Sequence, residues 1–438
     1  MSSSKTHRQA EKLAGLLWEI QDPDETPVES LRRFQDAYEA ASPEERTSFF
    51  ATALRQLEIR KKDIAADTNA VLHATPEDAV LWTSLLTTLR KKLESPRMRA
   101  FRRFLNTPGG LKFLLDLRAD VLQAQRQGGP ELGPLDEEIA HLFTSWFQHG
   151  FLFLQEITEE SPYGQIRFLK NHDMVHPMAS LEEMGSRLGA DRRAFALYHR
   201  AMPEEPVVFI EVALTRKLPR SIHEILGDSP RMKGEPDTAI FYSINNAQNG
   251  LAGLGLGKVL IYQVVDSLKR DHPQIKTFAT LSPVPGFFRR YVKPLLETDE
   301  SPFAMSRKRF LASFNEKSRR RLLEHGRGQG GDFAAFLLEV LSTPDWIEDP
   351  LYEKEFTRPL RELTFFYLTE EKDARGRPLN PVANFHMGNG ARLILRNVHF
   401  GANRTPRGLG RSCGMMVSYV YSSTWLHELR RTARSALS

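Results

Sequence analysis

The fold is decided by residues 239–270, which read AIFYSINNAQNGLAGLGLGKVLIYQVVDSLKR. Residues 239–244 are rich in β-branched and aromatic side chains, and glycines follow at 250, 253, 255 and 257. From Leu256 to Leu268 apolar residues recur at helical spacing, with charged residues on the other side. The stretch therefore predicts a strand, a glycine-rich turn and an amphipathic helix with one buried face. A second strand is predicted directly after it, at 277–281.

The glycine-rich turn is a candidate anion site. A turn that opens a helix directs unpaired N–H groups and the positive end of the helix dipole at one point, where a phosphate can bind. Two common phosphate motifs fit poorly. Gly257-Lys258 is followed by Val259 instead of a hydroxyl residue, and Gly253-x-Gly255-x-Gly257 lacks the third glycine three residues on. The alternative that these glycines serve only a tight strand-to-helix turn, with no ligand, is therefore not excluded by the sequence.

Four short segments carry a resemblance to known proteins. Gly255-Leu256-Gly257 has the G-x-G form with which N-acetyltransferase-like (GNAT) proteins hold the pyrophosphate of coenzyme A. The segments SPVPGF at 282–287, NPVANFH at 380–386 and SCGMM at 412–416 follow in the order typical of malonyl-CoA decarboxylases. The chain thus resembles the malonyl-CoA decarboxylase family, most strongly over 206–290 and 378–421.

The resemblance and the periodicity imply the same α+β fold class. Residues 1–160 are predicted to form an all-helical bundle, with helical patterns to about 157 and helix starts at Ser42, Thr75 and Ser95. Residues 161–438 are predicted to form a GNAT-like mixed-sheet domain that binds coenzyme A, with a buried strand at 206–214. The family implies that the helical domain is used in homo-oligomer contacts.

Composition excludes several classes of function. The chain has 438 residues, 41% of them hydrophobic, and a net charge of +5 from 60 Lys+Arg against 55 Asp+Glu, which is small for a nucleic-acid binder. No apolar run approaches a membrane span. The single cysteine, Cys413, excludes an intrachain disulfide and zinc-binding pairs, and we expect it to be buried. With no signal segment and no peroxisomal tripeptide, the cytoplasm is the expected compartment.

The resemblance implies the candidate site residues. Ser282 is expected to hydrogen-bond the departing carboxylate, and His386, near the end of a short helix begun by Asn380-Pro381, is expected to donate a proton with a pKa suited to neutral pH. Tyr421 is a further site residue by motif position, on a terminal strand predicted at 412–421. The pyrophosphate of coenzyme A is expected at Ala252, Gly253, Leu254, Gly255, Leu256, Gly257 and Lys258, with Arg289, Arg290 and Lys293 as further phosphate partners.

The implied reaction converts malonyl-CoA to acetyl-CoA and carbon dioxide, in fatty acid metabolism. A malonyl thioester loses carbon dioxide to leave an enolate whose charge rests on the thioester oxygen, so the substrate is its own electron sink. The expected carboxy-lyase therefore needs no metal and no cofactor beyond the coenzyme A of its substrate.

Other interpretations stay open from the sequence. A GNAT acyltransferase would bind acetyl-CoA and use His386 or Glu211 to deprotonate an amine. A helical scaffold would keep a coenzyme A fold without activity. Within the decarboxylase interpretation, methylmalonyl-CoA is the alternative preferred substrate. Some relatives carry an acid in the glycine loop where this chain has Gly255. Glu211, in an otherwise apolar strand, is a minor candidate to replace it and is otherwise expected to pair with an arginine.

Overall fold

The structure is a computed structural model that describes residues 2–21, 28–75, 78–227, 234–326 and 332–421. The described residues form two compact units. The first unit comprises residues up to 155 together with 197–208 and 246–256, and the second comprises 156–196, 209–245 and the residues from 257 onward.

The first unit is built mainly of helices, as predicted. Its helices α1 to α8 are Ser2–Ile20, Val28–Glu39, Pro43–Gln56, Lys61–His73, Ala79–Lys92, Pro96–Phe104, Gly110–Arg126 and Gly133–Trp146. Ser42 forms the predicted capping box, in which its side chain accepts from Glu45 N while the Glu45 carboxylate accepts from Ser42 N. Ser95 caps α6 as predicted, with a side chain that accepts from Met98 N. The prediction at Thr75 was wrong, because the cap of α5 is Asp78; Pro76 and Glu77 lie outside the described residues.

Aromatic side chains form the core of the helical unit. The ring of Phe34 lies 5.7 Å from those of Phe49 and Phe104 and 6.0 Å from that of Phe113, between ring centroids. All four are buried, as is Tyr38. Such rings bury large apolar areas in tilted and edge-on pairs, so this core holds α2, α3, α6 and α7 together.

Ten strands lie in two sheets within the described residues. β1 to β10 are Leu152–Ile157, Arg192–His199, Met202–Thr215, Thr238–Asn246, Thr277–Thr280, Ser282–Pro283, Ala391–Arg392, Val398–His399, Met416–Val417 and Val420–Tyr421. The larger sheet has the order β1-β2-β3-β4-β5-β10-β7 and the smaller one β6-β9-β8. β4 and β5 are parallel neighbours with Phe241 opposite Thr280, and β10 pairs antiparallel with β5. The predicted mixed α/β fold is confirmed.

The remaining helices connect and cover these strands. They are α9 to α19: Tyr163–His172, Leu181–Ser186, His223–Leu226, Leu256–Asp271, Lys293–Glu297, Arg307–Ala312, Glu316–His325, Phe333–Leu341, Pro350–Thr369, Pro381–Gly388 and Pro406–Ser412. The predicted amphipathic helix is α12, and a single π-helical turn at Phe287–Val292 precedes α13. No helix in the described ranges is both long and apolar enough to cross a membrane.

Two local predictions differ from the structure. Residues 152–157, expected to be helical, form the edge strand β1, where only the two end residues are fully buried and no alternating pattern marks the strand. The strand expected from 412 onward begins only at Met416. Cys413 ends α19 in the left-handed conformation, with φ of 51°, and Gly414 follows with φ of 70°. A strand cannot run through two such residues.

Candidate active site

Ser282 lies where the two sheets meet. β5 ends at Thr280 and β6 begins at Ser282, and the Ser282 hydroxyl donates to Thr280 Oγ1 at 2.9 Å. Thr280 is itself held by Tyr419, the residue before β10. The Thr280 N–H donates to Tyr419 O at 2.9 Å, and Thr280 Oγ1 accepts from Tyr419 N at 3.2 Å. Ser282 is buried, so its orientation is set by these contacts and not by solvent.

His386 lies near the end of α18, as predicted. Asn380 caps this helix by accepting from Val382 N and Ala383 N, and Pro381 occupies the first turn. The Asn380 amide also donates to Pro285 O at 3.1 Å, which ties the start of α18 to the segment that follows Ser282. The helix therefore carries His386 to a fixed position relative to the serine.

Ser282, His386 and Tyr421 meet in one buried chain of hydrogen bonds. His386 Nε2 lies 3.3 Å from Ser282 Oγ, and His386 Nδ1 lies 2.9 Å from the Tyr421 hydroxyl. The imidazole stacks on the ring of Tyr419, with centroids 4.8 Å apart and planes inclined by 27°. The three residues that the motifs singled out are thus in contact, although 104 and 35 positions of sequence separate them.

Burial determines the charge of the histidine. Only 4% of His386 is exposed, and loss of hydration lowers its pKa from 6.5 to about 3. Burial also raises the pKa of Tyr421 and of Tyr419 well above the usual tyrosine value. At neutral pH the imidazole is therefore uncharged and both phenols are protonated. The expectation of a neutral-range pKa was wrong, because sequence context does not reveal the enclosure of the ring.

Tyr419 is a site residue that the motifs did not single out. Its side chain is fully buried against His386, and its hydroxyl has no hydrogen-bond partner among the described residues. An unpaired buried hydroxyl costs free energy, so this donor is available to a ligand. The only sequence signal was its place two residues before Tyr421 in an alternating segment.

The glycine loop has two kinds of glycine. Gly253 and Gly255 have φ of 83° and 71°, and a Cβ built on either would meet no atom within 4 Å. They provide the left-handed backbone of an open turn. At Gly257 a Cβ would lie 2.7 Å from the Phe385 ring, next to His386. The expected role of Gly257, close approach to a pyrophosphate, is therefore not its only constraint, and a larger residue there would displace Phe385.

A buried arginine of α7 holds the beginning of this loop within the first unit. Arg118 Nη1 donates to Gly250 O at 2.5 Å and to Ala252 O at 3.1 Å, and its Nε donates to Asp136 at 2.7 Å. Its side chain is 4% exposed. Gly250 packs so tightly that a Cβ would lie 2.0 Å from Leu115 O. The sequence signal was present: Arg118 falls at helical spacing from the buried Leu111 and Leu115.

Glu211 lies in a separate buried cluster of the second unit. Its carboxylate is 3.2 Å from Arg187 Nη1, which also contacts Asp173 at 3.0 Å, so the predicted pairing with an arginine is confirmed. Ser243 donates to Asp173 at 2.8 Å. Burial, then the charge of Asp173, raises the pKa of Glu211 to about 7. Among the described residues, no group of three or more histidine, cysteine or acidic side chains is placed to hold a metal ion.

Comparison with known proteins assigns the family. Residues 150–431 match the family model described as the malonyl-CoA decarboxylase C-terminal domain, and residues 60–147 match that of the N-terminal domain. The chain belongs to the malonyl-CoA decarboxylase family. It is 35% identical over 335 residues to a protein from Anser anser anser named malonyl-CoA decarboxylase, mitochondrial. That alignment covers 75% of this chain and 64% of the relative, which is less than two thirds of the relative's length.

Crystal structures of malonyl-CoA decarboxylases are similar over nearly the whole chain. The structure from Rhodopseudomonas palustris is 30% identical with a TM-score of 0.77, covering 96% of this chain and 94% of that one. The structure from Agrobacterium vitis has the same identity and TM-score, covering 99% and 96%. The similarity to these two structures therefore includes both the helical region and the mixed-sheet region of this chain.

We expect Arg118→Lys to weaken coenzyme A binding by about tenfold. Lysine keeps the charge opposite Asp136 but has one nitrogen, so it cannot bind Asp136 and the two loop carbonyls at once, as Nε and Nη1 of Arg118 do. Isothermal titration with coenzyme A measures this. Arg46→Lys is the matched control, since Arg46 pairs with Asp120 at 2.9 Å in the same unit without contacting the loop. Equal affinity in both variants would contradict the role of Arg118.

Proposed function

We propose that this protein decarboxylates malonyl-CoA to acetyl-CoA and carbon dioxide. The observation that carries the proposal is the buried chain from Tyr421 through His386 to Ser282. Membership of the malonyl-CoA decarboxylase family supports it. The reaction needs a site that excludes water, orients a carboxylate, accommodates an oxyanion and delivers one proton, and each task has a candidate residue here.

Proton delivery follows from the neutral imidazole. Tyr421 keeps its proton because burial raises its pKa, and it donates to His386 Nδ1, which leaves the imidazole hydrogen on Nε2, facing Ser282. Loss of carbon dioxide breaks the bond between C2 and the carboxylate and leaves an enolate. C2 then takes the hydrogen of Nε2, while Nδ1 takes that of Tyr421. The starting state returns when Nδ1 gives its hydrogen back to the tyrosinate and Nε2 takes a proton from solvent after the product leaves.

Two hydroxyls complete the site. Ser282 hydrogen-bonds the carboxylate and holds it out of the plane of the thioester, so that the breaking bond overlaps the carbonyl. The unpaired hydroxyl of Tyr419 donates to the thioester oxygen as negative charge develops there. The thioester itself accepts the electron pair, so the proposed reaction uses no further cofactor. Ser282 Oγ and His386 Nε2 lie 3.3 Å apart, a contact that tightens or yields as substrate enters.

Coenzyme A is anchored by the glycine loop in this proposal. Gly253 and Gly255 each adopt the left-handed conformation in an open turn, and α12 begins directly after it at Leu256. The N–H groups of that first turn and the exposed side chain of Lys258 would bind the pyrophosphate. Methylmalonyl-CoA remains the alternative substrate, since the same steps apply to it.

The acyltransferase alternative is weaker for a physical reason. Removing a proton from an amine needs an accessible base whose pKa is near the operating pH, and the pKa of His386 is about 3. The pKa of Glu211 is about 7, but its carboxylate is fully buried against Arg187, where an amine would have to break that pair to reach it. A neutral N–H donor suits protonation of an enolate, which is a far stronger base than an amine. We therefore favour the decarboxylase over the transferase and over an inactive scaffold.

The proposed assembly is a homo-oligomer formed through the helical region. Helices α4 and α5 bury none of their residues, and Leu72, Val80 and Leu81 are 72%, 82% and 48% exposed. An exposed apolar helix pair is typical of a surface that another copy covers. For the compartment we propose the cytoplasm, supported by a single, buried cysteine that suits a reducing environment.

Incubation of the protein with malonyl-CoA alone should yield acetyl-CoA and carbon dioxide.

His386→Asn should lower the turnover of malonyl-CoA by about 10²–10⁴-fold, because the proton donor is lost. Coenzyme A affinity should hardly change. The matched control is His399→Asn, since His399 is also buried with a pKa lowered to about 4, mainly by desolvation, and bonds Ser418 at 3.1 Å. That variant should lose stability and keep its specific activity. Equal activity loss in both variants, or products formed only with an amine acceptor, would contradict the proposal.

Charge placed on the α4–α5 surface should dissociate the oligomer. Leu72→Glu combined with Val80→Glu would force two carboxylates into an apolar contact, so the molar mass from light scattering should fall toward 50.0 kDa. Leu379→Glu, at a site of 41% exposure in the second unit, is the control. An unchanged mass in the double variant would place the interface elsewhere.

A further inference from the structure

A cavity of about 540 Å³ in the second unit is lined by four arginines. We call it the arginine cavity; its charged residues are Arg289, Arg290, Arg407 and Arg411. The remaining lining residues are prolines and glycines, and none is acidic. Because the other lining residues have small side chains or none, the four guanidinium groups give the cavity a high density of positive charge.

Three of the four arginines of the cavity have no acidic partner among the described residues. Within the described ranges Arg289, Arg290 and Arg411 form no ion pair, whereas Arg97, Arg118 and Arg187 elsewhere in the chain all do. Arg407 donates to a neutral group, Met174 O, at 2.8 Å. Desolvation and then the charge of Arg411 lower the pKa of Arg407, and Asp173 offsets this in part. An anion entering the cavity would relieve this repulsion.

The cavity adjoins the candidate active site. Pro285, on its wall, lies three residues after Ser282 and accepts the hydrogen bond of Asn380. Pro381, also on the wall, begins the helix that carries His386, about 7.5 Å further along its axis. Arg407 contacts Met174 O, and the N–H of Met174 donates to Asn245 Oδ1 at 2.9 Å. Asn245 lies near the carboxyl end of β4. Ligands of α/β sheets bind beyond these carboxyl ends.

An anion bound in the arginine cavity would not be the carboxylate that reacts. An arginine paired with the malonyl carboxylate would stabilise the reactant more than the transition state, in which that charge leaves with carbon dioxide, and would slow the reaction. The reacting carboxylate belongs beside Ser282. The cavity therefore suits an anionic group of the substrate that does not change during the reaction.

We propose that the arginine cavity binds the 3′-phosphate of the coenzyme A thioester. This rests on the proposed function, in which residues 252–258 take the pyrophosphate and leave the 3′-phosphate as the remaining anion of the coenzyme. A phosphate monoester is a dianion whose oxygens accept the forked donors of arginine in pairs. The site would thus distinguish coenzyme A from its dephosphorylated form.

The test compares malonyl-CoA with malonyl-dephospho-CoA, which lacks only the 3′-phosphate. Wild type should prefer malonyl-CoA in kcat/KM by about 10–10²-fold, the usual worth of charge-assisted hydrogen bonds to a phosphate. In the double variant Arg289→Gln, Arg411→Gln this preference should fall to about one, through KM, with kcat retained. Arg358→Gln is the control, since Arg358 is 83% exposed on α17 and pairs with Glu362.

Three results would overturn the inference. The first is a preference that survives in the double variant, and the second is an equal loss of kcat/KM for both substrates. The third is inhibition by inorganic phosphate that is the same with both substrates and disappears in the double variant, which would make the cavity a free phosphate site. Calorimetric binding of coenzyme A and dephospho-coenzyme A gives the same comparison without turnover. An inactive wild type that still prefers coenzyme A would sink the proposed decarboxylation and leave the cavity assignment standing.

Discussion

The site depends on removing water from one imidazole. His386 is enclosed by Tyr419, Tyr421 and Ser282, and this enclosure lowers its pKa to about 3. A charged imidazolium would lose several kilocalories per mole of hydration in such a place, so the ring stays neutral and is held by hydrogen bonds at both nitrogens. The direction of those hydrogen bonds then decides what the site can do. A ring that accepts at Nδ1 donates at Nε2, and such a donor suits a carbanion better than it suits an amine.

The scaffold fixes these bonds by joining three distant parts of the chain. Ser282 begins β6, directly after β5, while α18 carries His386 and β10 carries Tyr421. Their mutual positions are set by the antiparallel pairing of β10 with β5 and by the bond from Asn380 to Pro285 O. Because no member of the chain is held by solvent, small displacements of any element would break the path of the proton.

The sequence predicted the helices and strands better than it predicted the surroundings of the side chains in the site. Local signals were sufficient for α3, α6, α12 and α18, since capping residues and apolar spacing act within a few positions. Motif resemblance found Ser282, His386 and Tyr421. The pKa of His386, the contact of Arg118 with Gly250 across 132 positions and the clash at Gly257 depend on tertiary packing, which no local pattern encodes. The break at Cys413 and Gly414 was hidden because their strand-like neighbours outweighed these two left-handed residues.

The central claim is that His386 is neutral, protonated on Nε2 and unprotonated on Nδ1. Nitrogen-15 NMR of the histidine side chains between pH 4.5 and 8 measures this directly, with His386→Asn to assign the signals. Since the folded pKa is about 3 and the unperturbed value 6.5, the ring should show no titration in that window, and stability should fall as pH drops below about 6.5, where the unfolded chain takes up the proton first. A midpoint near 6.5 in the folded protein, or a proton on Nδ1, would contradict the account.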